Sequence, residues 1–403
     1  MTTCRLCRLQ RCAELAHFGD QPICHRFVEG AEEEARYPLV LGQCEACGLI
    51  QLTTPMPVEV LSPRYDWIKY NEPEAHLESL SQRIASLPGI SSESRILGVC
   101  LNERPLLDIM RGHGFRHTEM LDPVSNLRLA EGKIGVESIQ SRLNREVAEK
   151  IVRQQGFYDV VIARRILEHA HDLLELLRAL RALVHPHGYV AVEVPDCQKE
   201  FELVDVGLLW EEHILYFTAE TFQECFSFGG LNVQQFESFP DPQENCLVVI
   251  AQPADTIPAF LKDRLLKQEI SRSTAFIREL ALLREGLQRY LSNYNSRRGK
   301  VAVLGAGHRS CVYINLLQIK DHIEFVIDDD PHKQNLRMPG SRLPIRQSNA
   351  LIEDNIKLCL LGINPESENK VIARNKEFVN RGGSFASISP NSVNALRLDA
   401  NIG

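Results

Sequence analysis

Two Cys-x-x-Cys pairs, Cys4/Cys7 and Cys44/Cys47, set the tightest limit on how this chain can begin. Each pair presents two thiolates from one tight turn, and two such turns complete a tetrahedral four-sulfur zinc site. Cys12 and Cys24 lie between them but belong to no pair. Six of the 12 cysteines fall within the first 47 residues and the other six are scattered singly. Clustered cysteines point to metal, whereas lone ones behave as small buried hydrophobes. Four protein ligands leave no open coordination position, so the expected zinc is structural. It supplies folding free energy that a short, loop-rich segment lacks.

Beyond residue 56 the pattern changes to strand–helix alternation. SRILGVC (94–100), HTEMLDPV (117–124), the VVIA of YDVVIARR and YVAVEVPD (189–196) read as strands. Between them, PLLDIMRGHG reads as a short helix, and HDLLELLRALRALVHPHG as a helix ending at its His-Gly. This alternation predicts a parallel sheet with helices on both faces. The alternating strands NVQQFESF and CLVVIAQ follow. Residues 258–298 read as a charged helix, and VAVLGAGHRS opens a second strand–turn–helix unit, with further strands in IEFVIDDDP, KLCLLGIN and SFASISP. With 403 residues, too many for one ordinary core, the expected division is 1–56, 57–255, a helical connector at 256–298, and 299–403.

A net charge of −8 argues against a nucleic-acid partner, which needs a basic face. No apolar run approaches the roughly eighteen residues of a membrane span, and MTTCRLCRLQRC lacks the apolar core of a secretory signal. A cytoplasmic location with no membrane partner is expected.

The ordered phrases GDQPICHRF, YPLVLGQCEACGLIQL, MLDP, DVVIARRILEHAHD, YVAVEVPD, WEEHILYF, VAVLGAG, FVIDDDPHKQ and PGSRLPI run over nearly the whole chain. Taken together they resemble the sugar C-methyltransferases that act on nucleotide-linked deoxy-keto-sugars. The resemblance implies an α/β fold in three parts: a small zinc-binding N-terminal domain, a class I methyltransferase (Rossmann-like) central domain, and a Rossmann-like C-terminal domain. It implies S-adenosylmethionine as cofactor, a nucleotide-sugar substrate, and a monomer or homodimer.

Such a reaction methylates the carbon beside a ketone, which must first lose a proton. Histidine suits the base because its ordinary pKa lies near 6.5. Matching the family motif places the base at His213, with Glu212 to assist, His169 to bond the developing oxyanion, and Tyr65 or Tyr70 upstream. Without the resemblance, His213 reads as an ordinary core or capping histidine. Tyr216, Gly305, Gly307, His308 and Arg309 are the expected substrate-binding residues; the helix beginning at 308 could hold a pyrophosphate. For the cofactor, the resemblance points to Gly98, Cys100, Asn102, Asp122 and Ala163.

Relatives carry a turn of the form E-x-G-x-N-x-G after the first strand, and here it reads GVCLNER. Gly98 replaces the acid, Cys100 the close-approach glycine and Arg104 the last glycine, so a narrowed cleft is expected. Arg165 stands where relatives usually have asparagine. Asp122, at the next strand end, is retained and suits ribose hydroxyls. Three readings follow: a methyltransferase with an unusual cofactor turn, a keto-sugar epimerase or isomerase of the same ancestry, or a non-catalytic binding protein.

Overall fold

The structure, a computed structural model, describes residues 1–62, 65, 73–242, 244–255 and 257–398. Contacts divide the chain into two compact units. Met1–Glu14, Leu41–Gln198 and Glu212–Ile270 form the first; Leu15–Val40, Lys199–Glu211 and Ser271–Gly403 form the second. This differs from the boundaries expected from sequence. Residues 15–40 group with the C-terminal part, and the helix Asp263–Arg297 runs from the first unit into the second.

The strands are, in chain order, β1 (Cys12–Pro22), β2 (Arg36–Cys44), β3 (Ile50–Leu52), β4 (Arg95–Gly98), β5 (His117–Met120), β6 (Tyr158–Arg164), β7 (Val184–Pro195), β8 (Leu215–Tyr216), β9 (Leu231–Phe239) and β10 (Cys246–Pro253). The main sheet of the first unit has the order β5-β4-β6-β7-β10-β9. It is parallel from β5 to β7, as the strand–helix alternation requires, and antiparallel where β10 joins β7 and β9. Only a short connection separates β9 from β10, which suffices for an antiparallel pair but not for a parallel crossover.

Both faces of this sheet are covered. Along β6, Val161 and Ala163 join one apolar cluster while Val160 and Ile162 join the other. The helix Leu173–Leu183 buries Leu173, Leu176, Leu177, Leu180 and Leu183 at helical spacing. Each such leucine stabilises the fold by roughly 2 kcal/mol relative to exposure. Asp172 caps the helix by accepting from the Glu175 N–H at 3.0 Å. The helix stops at Leu183, short of the His-Gly signal, because Val184 already pairs with Tyr158 of β6.

The paired cysteines come together as their spacing predicts. Cys4 Sγ lies 3.6 Å from Cys47 Sγ, and Cys7 Sγ lies 3.6 Å from Cys44 Sγ. A tetrahedron of sulfurs about 2.3 Å from zinc has edges of about 3.8 Å, so the four thiols fit that ion. Each pair is followed by a residue in the left-handed region, Arg8 (φ 63) and Gly48 (φ 79). The Ala46 N–H reaches Cys44 Sγ at 3.4 Å. Hydrogen bonds, first from Cys4, lower the Cys7 thiol to about 7. This region has no core of its own: Cys4, Leu6, Cys44, Cys47 and Leu49 belong to the same buried cluster as Leu173, Phe217 and Phe222. It is therefore part of the larger unit and not an independent body.

In the second unit, β11 (Val301–Leu304), β12 (Val326–Ile327), β13 (Ile345–Arg346), β14 (Leu358–Leu361) and β15 (Ser384–Ser387) form a parallel sheet of order β13-β12-β11-β14-β15. β13 carries no apolar run and escaped the sequence pattern. The Asp328–Asp330 run is a loop clasp. Asp328 accepts from the Ala306 N–H and from Lys333, Asp329 from Ser348, and Asp330 from the His332 N–H.

One zinc per chain is expected by elemental analysis. Cys44→Ser or prolonged chelation should lower the melting temperature by at least several degrees, since structural zinc contributes folding free energy directly. An unchanged melting curve after complete metal removal would contradict this.

Candidate active site

Two backbone hydrogen bonds bring the expected catalytic histidines together. The Ile214 N–H donates to the Glu168 carbonyl at 2.7 Å, and the Leu52 N–H donates to the Ile214 carbonyl at 2.8 Å. β8 then continues the attachment through Ile50, which pairs with Tyr216. The Glu212–Tyr216 segment is thus held between the loop after β6 and the strand β3. His169 and His213 consequently meet edge-on, with ring centroids 5.0 Å apart and an interplanar angle of 87°.

His169 is buried, and its Nδ1 lies 3.0 Å from Glu137 Oε1. Glu137, Glu212 and His169 each bring one polar atom within 4.8 Å of the others, as do Glu168, His169 and His213. Glu212 is buried and His213 half-buried. Glu137, from the helix Val136–Arg142, was not found from sequence; no motif surrounds it and 32 residues separate it from His169. Glu211 accepts from the Cys24 N–H at 2.5 Å, and burial pushes its carboxyl up to about 7. Close to His169 in sequence, the His171 ring bonds Gln140 at 3.0 Å and the Met56 carbonyl at 2.9 Å.

The other expected residues divide. Tyr65 is half-buried in a loop, and Tyr70 lies outside the described residues. Tyr216 is 1% exposed, and its backbone pairs with Ile50 in a sheet, so it offers little surface to a ligand. Ala163 is fully buried in the core against the β7 register partner Val192 and presents no side chain at the sheet edge. In the second unit, Gly305 adopts φ +103, and a Cβ there would lie 2.6 Å from Ile363 Cγ2, so glycine is required. Gly307 is the exposed N-cap of the helix His308–Leu316. The positive charge expected at that helix end is largely spent. His308 stacks on Trp210 at 4.5 Å, and its enclosure, with Arg309 nearby, pushes it down to about 3, leaving it neutral. Arg309 pairs with Asp205 at 2.8 Å.

The turn after β4 does not narrow the cleft as expected. Cys100 has φ −135 and ψ −178, an extended conformation open to any residue. Its thiol turns inward, 3.5 Å from Glu103 Oε1 and 3.6 Å from the Arg164 carbonyl, and is 2% exposed. Arg104 is the exposed first residue of the helix Arg104–Gly112. Asn102 is half-exposed, and Leu101 is 55% exposed. At the end of β5, Asp122 is exposed; its Oδ1 accepts from the Val124 and Ser125 N–H groups in its own turn. The sheet edge over β4, β5 and β6 is therefore clear of the substituted side chains, and the residues present fit S-adenosylmethionine.

Below that edge lies an ionic network that sequence reading missed. Glu193, fully buried, accepts from Arg164 at 2.8 and 3.0 Å, from Arg165 at 3.3 Å, and meets His76 Nε2 at 2.9 Å. Arg164 also donates to the Asn102 carbonyl at 2.5 Å, and Arg165 to Glu244 and to Cys246 Sγ. Burial opposes ionisation of Glu193, but Arg164, His76 and Arg165 outweigh it and hold the carboxyl well below its usual range. Arg165 stands in the left-handed region at φ +53, which asparagine tolerates better than other side-chain-bearing residues. An arginine there carries strain of about 1–3 kcal/mol, offset by its buried partners.

Comparison with known proteins agrees with this architecture. Three family models match in order: "Putative zinc binding domain" over residues 4–61, "Methyltransferase domain" over 71–235 and "C-methyltransferase C-terminal domain" over 261–390. C-methyltransferase NovU of Streptomyces niveus is 27% identical over 402 residues, spanning 95% of this chain and 94% of the relative. The chain is thus similar to C-methyltransferases over nearly its whole length. The matched segments take in the zinc knot, the parallel strands β4 to β7 and the sheet β11 to β15. Among solved structures, 1,6-didemethyltoxoflavin-N1-methyltransferase of Burkholderia thailandensis is 17% identical and matches with a TM-score of 0.32 over 45% of this chain and 80% of that one. CcbJ of Streptomyces caelestis is 12% identical, with a TM-score of 0.30, over 47% and 100%. No described helix is long and apolar enough to cross a membrane.

Glu193→Gln should destabilise the chain at pH 7 by about 3–5 kcal/mol, because Arg164 loses its buried counter-charge. A carboxyl whose folded pKa is depressed stabilises above its unfolded value of about 4.3 and stops doing so as pH falls through the folded value. Urea titrations should therefore show the gap between variant and unaltered chain largest near neutrality and shrinking below about pH 4; a gap constant with pH would contradict the network's charge.

Proposed function

We propose that this methyltransferase alkylates the carbon beside the ketone of a nucleotide-linked deoxysugar, by removing the α-proton and stabilising the enolate. The observation that carries the reading is the buried Glu137–His169 pair standing edge-on to His213. His213 is the base: half-buried, it keeps access to a substrate, and an imidazole is matched to proton removal near neutrality. Glu212 lies beside Glu137 and His169, where a carboxylate favours a protonated imidazole.

His169 has the complementary task. The Glu137 carboxylate lies 3.0 Å from its Nδ1 and favours positive charge on the ring. An imidazole N–H of His169 then donates to the oxygen where enolate charge develops. S-adenosylmethionine, when bound, supplies the electrophilic methyl group. The chain's part at that edge is the turn 99–102, whose outward face is clear, and Asp122, whose carboxylate suits ribose hydroxyls. The keto-sugar and its nucleotide rest on the family resemblance. An epimerase or isomerase would need the same base but no cofactor edge, and the inward-turned Cys100 removes the reason for favouring it.

With the nucleotide-linked keto-sugar in deuterated water, His213→Asn should abolish α-proton exchange while leaving S-adenosylhomocysteine binding intact. Retained exchange would refute the base. Glu137→Gln should lower the methylation rate by roughly 10²-fold with an unchanged substrate KM, as expected for loss of an oriented oxyanion donor. A change confined to KM would assign Glu137 to binding instead.

A further inference from the structure

We propose that Glu103 is the positioning residue of the cofactor edge: its buried carboxylate ties the turn after β4 to the end of β6, the two strand ends over which S-adenosylmethionine lies. This rests on the cofactor reading above. In the order β5-β4-β6-β7, the chain departs from β4 to one side and later returns on the other. A parallel sheet binds ligands at such a switch point, outside the carboxyl ends of the strands. The backbone there must keep a fixed separation, and something must hold it.

The turn GVCLNER has lost the close-packed glycines that could do this by themselves. The carboxylate of Glu103 takes over. Oε2 accepts the Cys100 N–H at 2.6 Å, and Oε1 accepts the Arg164 N–H at 2.6 Å. One side chain therefore satisfies a donor from each strand end, through two charge-assisted bonds in a site with no solvent exposure. Gly98 makes the room. A Cβ at Gly98 would lie 2.8 Å from Glu103 Cβ, 2.9 Å from Met120 Sδ and 3.0 Å from Leu107 Cδ1. A side chain at position 98 and the Glu103 side chain thus compete for one space. Full burial means that Glu103 does not touch the ligand and acts through the backbone it fixes. A carboxylate suits the task better than an amide, which would turn its own NH₂ toward one of the two N–H groups.

Calorimetric titration of the zinc-loaded full chain with S-adenosylhomocysteine tests this. Glu103→Gln, nearly isosteric, should weaken binding roughly tenfold or more. The double variant Gly98→Glu/Glu103→Gly, which removes the Glu103 Cβ that would meet a side chain at 98 and returns a carboxylate to the same space from the strand, should recover at least half of the affinity, on a logarithmic scale, that Glu103→Gly loses. A merely structural role would lower the melting temperature of Glu103→Gln without that recovery. Glu103→Gln binding within twofold of the unaltered chain overturns the inference alone. So does a double variant that binds no better than Glu103→Gly or fails to fold where Glu103→Gly folds, because the two positions are then not interchangeable. No binding by the unaltered chain overturns the cofactor reading together with it.

Discussion

The Ile214 amide bonded to the Glu168 carbonyl is the contact on which the active site depends. It joins the loop that carries His169 to the segment that carries His213, and no side chain has to do so. Backbone bonds of this kind do not depend on the identity of the flanking side chains. The Leu52 amide fixes the other edge of the same segment. The histidines are thus set by main-chain geometry, and Glu137 and Glu212 lie beside His169.

The cofactor edge is organised the other way, by side chains buried beneath it. Glu103 joins two strand ends, while Arg164 joins the Asn102 carbonyl to Glu193. A buried carboxylate and a buried arginine each cost several kcal/mol to desolvate, so neither is tolerable without the other groups in place. Burial raises Glu103 to about 7, even with its two backbone donors and Arg164 opposing. The ionic layer is compact because the sheet brings β4, β6 and β7 side by side at the points where these residues emerge.

Much of this was legible in the sequence, for specific reasons. Paired cysteines state their geometry in their spacing, and strand–helix alternation states the sheet. The histidines were readable because a motif surrounds each. Glu137 was not, since a lone glutamate on a short helix carries no mark of the histidine it will meet. Arg164 and Arg165 looked like departures that would disturb the site. Their partner Glu193 is a strand away, and pairing across parallel strands has no fixed sequence separation. Cys100 was misread for a different reason: substitution at a glycine position matters only where the backbone is left-handed or a ligand meets the side chain, and here neither holds.

The strand β3 has a consequence for how this enzyme can be divided. Ile50 and Leu52 stand just after the second pair of cysteines, yet they form the wall against which the catalytic segment rests. A fragment starting after the metal knot would keep every residue proposed for proton transfer and lose the surface that backs them. The metal-bearing region is therefore better understood as masonry of the candidate site than as an appended module, and excising it would leave His213, the proposed base, on an unsupported segment.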